Sequence, residues 1–395
     1  MRGIGGIRWG GFALATCASL AVACASLPWP VGTRPAGVAD AGGGLLDLRG
    51  VVHVHTEGSH DSPGTCDEVL AGARATGVRW VAITEHTRPG IAPPGGDFDG
   101  VLVLPGYEIR ALGGSLLALG IAEKPPRGTS PADVVRFVRA RGGAAFVGHF
   151  ERSGLADPAA YASVAPDGVE ILNLHAEAIA RRGSLTTALL LLPARPALRL
   201  LLGTPRRNFE RWEALPGADA IVGGVDAHAR FRLAGRYGAL DRYRDTFALL
   251  TTHVLAREPS APAILEALRE GRSYVALEGI APVDRFAFER RGRAFELAAP
   301  RPCRLALVCD AREVAFRHAR AARLAPPAGA HRCRAEATLD GRLWIVTSYV
   351  RAEQTTRAIS AISAGPSSGN IGSASESRES ASATGKSPGR APRSR

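Results

Sequence analysis

Histidines and carboxylates recur at the ends of apolar runs, in a pattern that suits metal binding. Val51-Val52-His53-Val54-His55-Thr56 places two imidazoles two residues apart. In a strand, residues i and i+2 point to the same side, so His53 and His55 are expected to face one ion together. Later islands read Ile83-Thr84-Glu85-His86, Leu104-Pro105-Gly106-Tyr107-Glu108, Phe146-Val147-Gly148-His149, Ile171-Leu172-Asn173-Leu174-His175 and Val225-Asp226-Ala227-His228. Each sets a nitrogen or oxygen ligand just after a β-like run. With Asp61, the candidate ligands are His53, His55, Asp61, His86, Glu108, His149, His175, Asp226 and His228. His60, beside Asp61, is an alternative ligand.

Imidazole and carboxylate ligands without thiolates suit zinc, manganese or iron. A set this large calls for two or three divalent ions, with Glu108 as the expected bridge. Neighbouring ions about 3.5–4 Å apart generate a bound hydroxide at neutral pH and stabilise charge on substrate oxygens. A metal-bridging hydroxide therefore needs no serine or cysteine nucleophile. Glu108, His149 and Asp226 are expected to act at the reacting centre. Arg152 and Arg230 follow ligand islands and could clamp an anion, although solvent-facing roles suit them equally. His253, His318 and His331 lack the strand-end context and are expected in surface or packing roles.

The elements that must position these groups alternate strand and helix. Thr65-Cys66-Asp67-Glu68 matches a capping box, opening a helix that Gly77 should stop. Ser130-Pro131 and Ser260 open two more, ended near Gly142-Gly143 and by Gly271. Strand–helix alternation implies parallel strands, and functional residues of parallel barrels sit at the strands' C-terminal ends. Residues 184–202 are leucine-rich and read as a packed helix broken at Pro193 and Pro196. After Ile280, short runs such as Phe286-Ala287-Phe288, Arg304 to Val308 and Leu343 to Val350 read as a small antiparallel module over 281–350. Residues 351–395 are Ser-, Ala- and Gly-rich without apolar periodicity and are expected to be disordered.

At 395 residues and 46% hydrophobic, the chain can bury a large core and a smaller one. The net charge of +12 does not by itself mark a nucleic-acid binder. Lysine occurs only at Lys124 and Lys386, the rest being arginine, and the last 45 residues hold seven basic against three acidic groups. The remaining excess is spread along the chain, whereas a clustered patch is the footprint of nucleic-acid binding. Residues 1–23 resemble a signal segment: Arg2 and Arg8, then an apolar stretch, then Ala21-Val22-Ala23 before Cys24. Lipidation on Cys24, simple secretion and an uncleaved anchor remain open, and each places the body outside the cytoplasm, periplasmic or membrane-anchored. Residues 24–45 read as a linker. Cys333 could be bridged to Cys303 or Cys309 in an oxidising compartment, or all three could be buried thiols.

His53-Val54-His55-Thr56, Ser59-His60-Asp61, the Ile83–His86 island, Gly106-Tyr107-Glu108, His149 and Asp226-Ala227-His228 resemble, in order, the motifs of the PHP (polymerase and histidinol phosphatase) superfamily over residues 46–280. Thr84-Glu85-His86 stands where that family has Thr-Asp-His, and Phe150 follows His149 where it has proline. Gly271-Arg272-Ser273-Tyr274-Val275 and the closing Leu343–Val350 run resemble its extracytoplasmic, carbaryl-hydrolase-like branch. The resemblance implies a distorted seven-stranded α/β barrel, a dinuclear or trinuclear site and a C-terminal β module. It implies a metal-dependent hydrolase of a small-molecule ester, first a phosphoesterase. Hydrolysis of a carboxylic ester, amide or carbamate is the alternative, and a non-catalytic cell-surface binding protein is the reading from another class.

Overall fold

The computed structural model describes residues 37–86, 92–191, 197–230 and 241–352. The expected signal segment with Cys24, the first part of the linker, Pro193, Pro196 and the tail from residue 353 lie outside the described residues. The described chain is a mixed α/β fold on one large sheet.

β1 (Val38–Gly42) turns through Gly42, Gly43 and Gly44, all at positive φ, into β2 (Leu45–Val54), its antiparallel partner. Only glycine takes three such residues without steric cost, so the end of the stretch read as linker is a hairpin strand. β3 (Trp80–Ile83) lies parallel to β2. β4 (Gly96–Phe98) and β5 (Val101–Leu104) form a hairpin, with β5 parallel to β3. β6 (Gly106–Ala111), β7 (Gly114–Leu119) and β8 (Ala144–Gly148) are antiparallel neighbours. β9 (Gly168–Asn173) lies parallel to β8, and β10 (Ala220–Ala227) lies parallel to both β9 and β2.

β3 and β6 meet at a single bridge, Glu85 to Tyr107, rather than along a ladder. The resemblance implied a distorted seven-stranded barrel; with no ladder between β3 and β6, the sheet is not closed there. Pro105, which has no N–H to donate, separates β5 from β6, and the chain leaves the β3 ladder at Thr84. Val51 and Val52 point into different apolar cores, so β2 is buried on both faces, as strands of parallel sheets are.

The helices are α1 (Cys66–Thr76), α2 (Pro131–Ala140), α3 (Pro158–Val164), α4 (Leu174–Ala180), α5 (Arg182–Leu191), α6 (Arg206–Glu213), α7 (Tyr243–Phe247) and α8 (Ala261–Arg269). α1 has the expected reciprocal Thr65–Glu68 box and ends on Gly77 at φ 70°. Ser130 and Ser260 cap α2 and α8, each followed by a proline in the first turn. α2 stops at Ala140, just before the glycine pair.

β11 (Thr251–Ala256) returns antiparallel on β2, and β12 (Ser273–Ala276) pairs with β11. β13 (Ala287–Arg291), β14 (Ala294–Cys309), β15 (Arg312–Leu324), β16 (Arg332–Leu339) and β17 (Arg342–Thr347) are antiparallel, and β18 (Val350–Arg351) pairs with β16. Their core includes Phe295, Leu305 and Trp344. β17 also pairs with β12, so the ladder continues into the α/β part. A polar seam is buried there: Arg49 Nε lies 3.2 Å from Glu278, and His253 Nδ1 lies 2.7 Å from Asp47. His253 thus packs, as expected, while His318 and His331 are exposed.

Cys309 and Cys333 are directly opposed on β14 and β16 and form a disulfide, leaving Cys303 as a buried thiol. Its 24-residue separation corresponds to about 3 kcal/mol of chain-entropy stabilisation. Cys309→Ser should remove that amount in urea unfolding under oxidising conditions and almost nothing in the presence of a thiol reductant. An equal loss in both would mean the bridge contributes nothing. Glu278→Ala should cost about 3 kcal/mol or more by leaving buried Arg49 with only Asp284, 3.9 Å away, as an acidic neighbour. A loss under 1 kcal/mol in the same assay would remove the ion pair from any account of this seam.

Candidate metal centre

The site begins with a defect in β2. His53 has φ 66°, and the ladder to β3 slips register between Val52 and Val54. The ladder from β10 slips between Gly224 and Ala227, beside Asp226 at φ 49°. His149, just past β8, has φ 48°. Left-handed non-glycine residues cost about 1–3 kcal/mol each and cluster where function demands them. His53 and His55 converge through this bulge, not through plain strand alternation, and their rings stand 5.1 Å apart.

Glu108 is the hub. Its Oε2 lies 3.2 Å from His53 Nε2, 3.5 Å from His55 Nε2 and 3.3 Å from His86 Nε2, and its Oε1 lies 3.3 Å from His149 Nε2. Asp226 faces the same space, with Oδ1 3.5 Å from His53 and 3.4 Å from His55, and Oδ2 3.5 Å from His149. Asp61 Oδ2 approaches His228 Nε2 at 3.5 Å and His86 Nε2 at 3.7 Å. Three groups bring their ligand atoms within 4.8 Å of one another: His55, His86 and His228; His53, His55 and Glu108; His53, His149 and Asp226.

The charges in this cluster are held by one another. Burial would lower the His53 pKa, but Asp226, Glu170 and Glu108 carry it well above the ordinary histidine value. Burial would raise Glu108 and Asp226, but the surrounding imidazoles hold both well below the usual carboxylate range. Burial, with His228 and His53 nearby, pushes His55 down to about 3. Burial opposes but does not prevent a rise of His149 to about 10, driven by Glu108 and Glu151. The donor set fits divalent cations. Among the described residues, His53 Nε2, His55 Nε2, Glu108 Oε2 and Asp61 Oδ1 are buried and lack a well-formed hydrogen bond. Unmatched buried polar atoms are costly, and a cation between them would meet that cost.

The structure also supplies supports that the sequence reading passed over. Glu170, fully buried on β9, lies 2.7 Å from His53 Nδ1, accepts the His149 backbone N–H at 2.8 Å and the Asn173 amide at 3.1 Å. Its space depends on Gly224, where an added Cβ would lie 1.6 Å from Glu170 Oε1. A lone acid inside the apolar run Gly168-Val169-Glu170-Ile171-Leu172 was the available signal. Glu85 is no ligand; its buried carboxylate accepts from the Thr56 and Ser59 hydroxyls and fixes the loop after β2. Ser59 in turn lies 3.2 Å from His55 Nδ1. These contacts orient the imidazoles and set which nitrogen faces the centre.

His175 stands apart. β9 ends at Asn173, whose side chain caps α4. His175 thus sits in a helical first turn at the rim, its ring 5.9 Å from that of His228 and outside the three ligand groups. His60 is exposed, its ring 5.4 Å from that of His86. Above the centre opens a cleft of about 770 Å³ walled in part by Arg110, Arg152 and Arg230. Arg230 also donates to the Asp61 carbonyl at 2.8 Å. Arg110 follows Glu108 by two on β6, so the period-2 rule would have placed it on the ligand side.

No protein-family model matches this chain, and no curated protein does either. Among solved structures, it is similar to a two-domain protein from Bacteroides vulgatus containing a predicted PHP-like metal-dependent phosphoesterase. The TM-score is 0.39 at 16% identity, over 79% of this chain and 97% of that one. A likeness this distant carries no argument, and the weight rests on the geometry above.

Glu170→Ala should weaken divalent-metal affinity about 10- to 100-fold, because it frees the His53 ring and the His149 backbone. Chelator competition monitored by elemental analysis reads this directly. Affinity within twofold of the parent would show that Glu170 orients nothing.

Proposed function

We propose that this chain is a metal-dependent phosphoesterase of PHP type, with strands β2, β3 and β6–β10 forming a distorted seven-stranded barrel and β13–β18 its C-terminal module. The observation that carries the reading is the convergence of buried His53 Nε2, His55 Nε2 and Glu108 Oε2 on one space beneath an arginine-walled cleft. His53, His55, Glu108, His149 and Asp226 would hold two or three zinc, manganese or iron ions, with His86, His228 and Asp61 completing the outer side. When bound, the ions supply an acidified water and a positive field for the ester oxygens.

The chain's own residues supply the rest. Arg110, Arg152 and Arg230 can each present planar donors to phosphate oxygens, which favours an anionic ester over a neutral carbamate, although Arg152 and Arg230 also lie beside Glu151 and Asp61. Glu108 and Asp226 keep their charge through the imidazoles around them. His149 Nδ1 lies 3.4 Å from Glu151, which would orient its ring as a ligand. Water adds its oxygen to phosphorus, the ester P–O bond breaks, and the proton that water gives up passes to the leaving oxygen. The signal-like leader and the Cys309–Cys333 bridge support work outside the cytoplasm, either secreted or held at the membrane by a lipid on Cys24.

Purified protein should carry two or three equivalents of zinc, manganese or iron. It should hydrolyse aryl phosphomonoesters or phosphodiesters in a panel that also holds aryl acetates and aryl carbamates. His53→Ala should lose both metal and turnover. Turnover of carbamates or acetates alone would replace the phosphoesterase reading with the carboxyl-ester one. Full metal and full activity in His53→Ala would remove the proposed site, and a metal-free, inactive but folded parent would favour a binding protein.

A further inference from the structure

A second cavity, of about 510 Å³, lies against the metal centre on the far side of α4. Its walls are mostly apolar, including Leu174, Leu185, Leu189, Leu201 and Leu249. His175, Ile179 and Asp226 line both this cavity and the arginine-walled cleft. The helix explains the sharing. His175 and Ile179 are one turn apart on one face, and Leu174 and Ala178 on the next, so α4 runs along the boundary where a charged and an apolar chamber meet.

A second observation points the same way. Among the described residues, the large apolar side chains left exposed are Leu112, Ile179, Leu200 and Phe316. Two of them, Leu112 and Ile179, wall the cleft over the metal centre. Exposed apolar groups gathered at the rim of a cleft can mark a ligand groove. Cavities of about 300–1,000 Å³ lined mainly by apolar groups are the usual size for small organic ligands.

We infer that the substrate is amphipathic: an anionic ester whose alkyl or aryl arm occupies the α4–α5 cavity while its charged end meets the metal centre and arginines. This rests on the phosphoesterase reading and adds the class of the organic group. The wet arm of the cleft takes the phosphate, and Ile179 marks where the arm crosses from one chamber to the other. Apolar reach, not a hydrogen-bonded recognition of the leaving group, then sets preference.

The test is a series of straight-chain alkylphosphonates, methyl to octyl, titrated calorimetrically into the metal-loaded full chain. Affinity should rise roughly three- to fourfold per methylene until the cavity fills. Ala178→Phe, which places a ring in the cavity, should collapse the octyl-to-methyl ratio towards one. Leu185→Ala, which enlarges it, should extend the rise to longer chains and serves if Ala178→Phe does not fold. Equal affinity for methyl and octyl, or a series unaffected by both variants, overturns the inference. Octanol, titrated into metal-free protein, separates the two readings. If no phosphonate binds but octanol does, and Ala178→Phe abolishes it, the apolar site stands and the phosphate reading falls. If neither binds, the cavity takes no such arm.

Discussion

Glu170 lies 2.7 Å from His53 Nδ1 and accepts the His149 backbone N–H at 2.8 Å, so one buried carboxylate on β9 ties the ends of β2 and β8 together. Asn173, its neighbour three residues on, links it onward to Asp226 on β10. The left-handed backbones of His53, His149 and Asp226 are all within this network. Their strain is held by hydrogen bonds around a charge that has no water to turn to. Gly224 makes the arrangement sterically feasible, because any side chain there would occupy the Glu170 oxygen's place.

The rest of the centre follows from the same constraint. A buried carboxylate is tolerated only when paired, and Glu108 and Asp226 are paired with imidazoles on every side. The imidazoles are oriented by Glu170, Ser59 and the Asp226 carbonyl. The inner atoms of the cluster face one another beneath a cleft walled in part by arginine.

Much of this was legible in the chain. The caps at Thr65, Ser130 and Ser260 are local, since a side chain meets backbone three residues away, and each forms as read. The strand-end islands were legible because their donors sit next to apolar runs. Glu170 and Glu85 were not, since an acid's partners come from strands far off in sequence. β15 was also hidden: its exposed, arginine-rich residues show no apolar period, and it forms because β14 offers a ladder over thirteen residues. That His175 lies in a helical first turn just past β9 was not legible, because Asn173 can end a strand and cap a helix, and only packing decides which comes next.

The sequence by itself determined the chemical inventory, the capped starts of α1, α2 and α8, and the apolar stretch before Cys24. Those depend on residue type and on contacts within a few positions. Only the tertiary structure decided how β3 and β6 meet, which of Cys303 and Cys309 joins Cys333, and that His53 faces its partners through a bulge. It also set an apolar chamber beside the His–carboxylate cluster. These depend on register and on the packing of distant strands, where a shift of one residue turns every side chain to the other face.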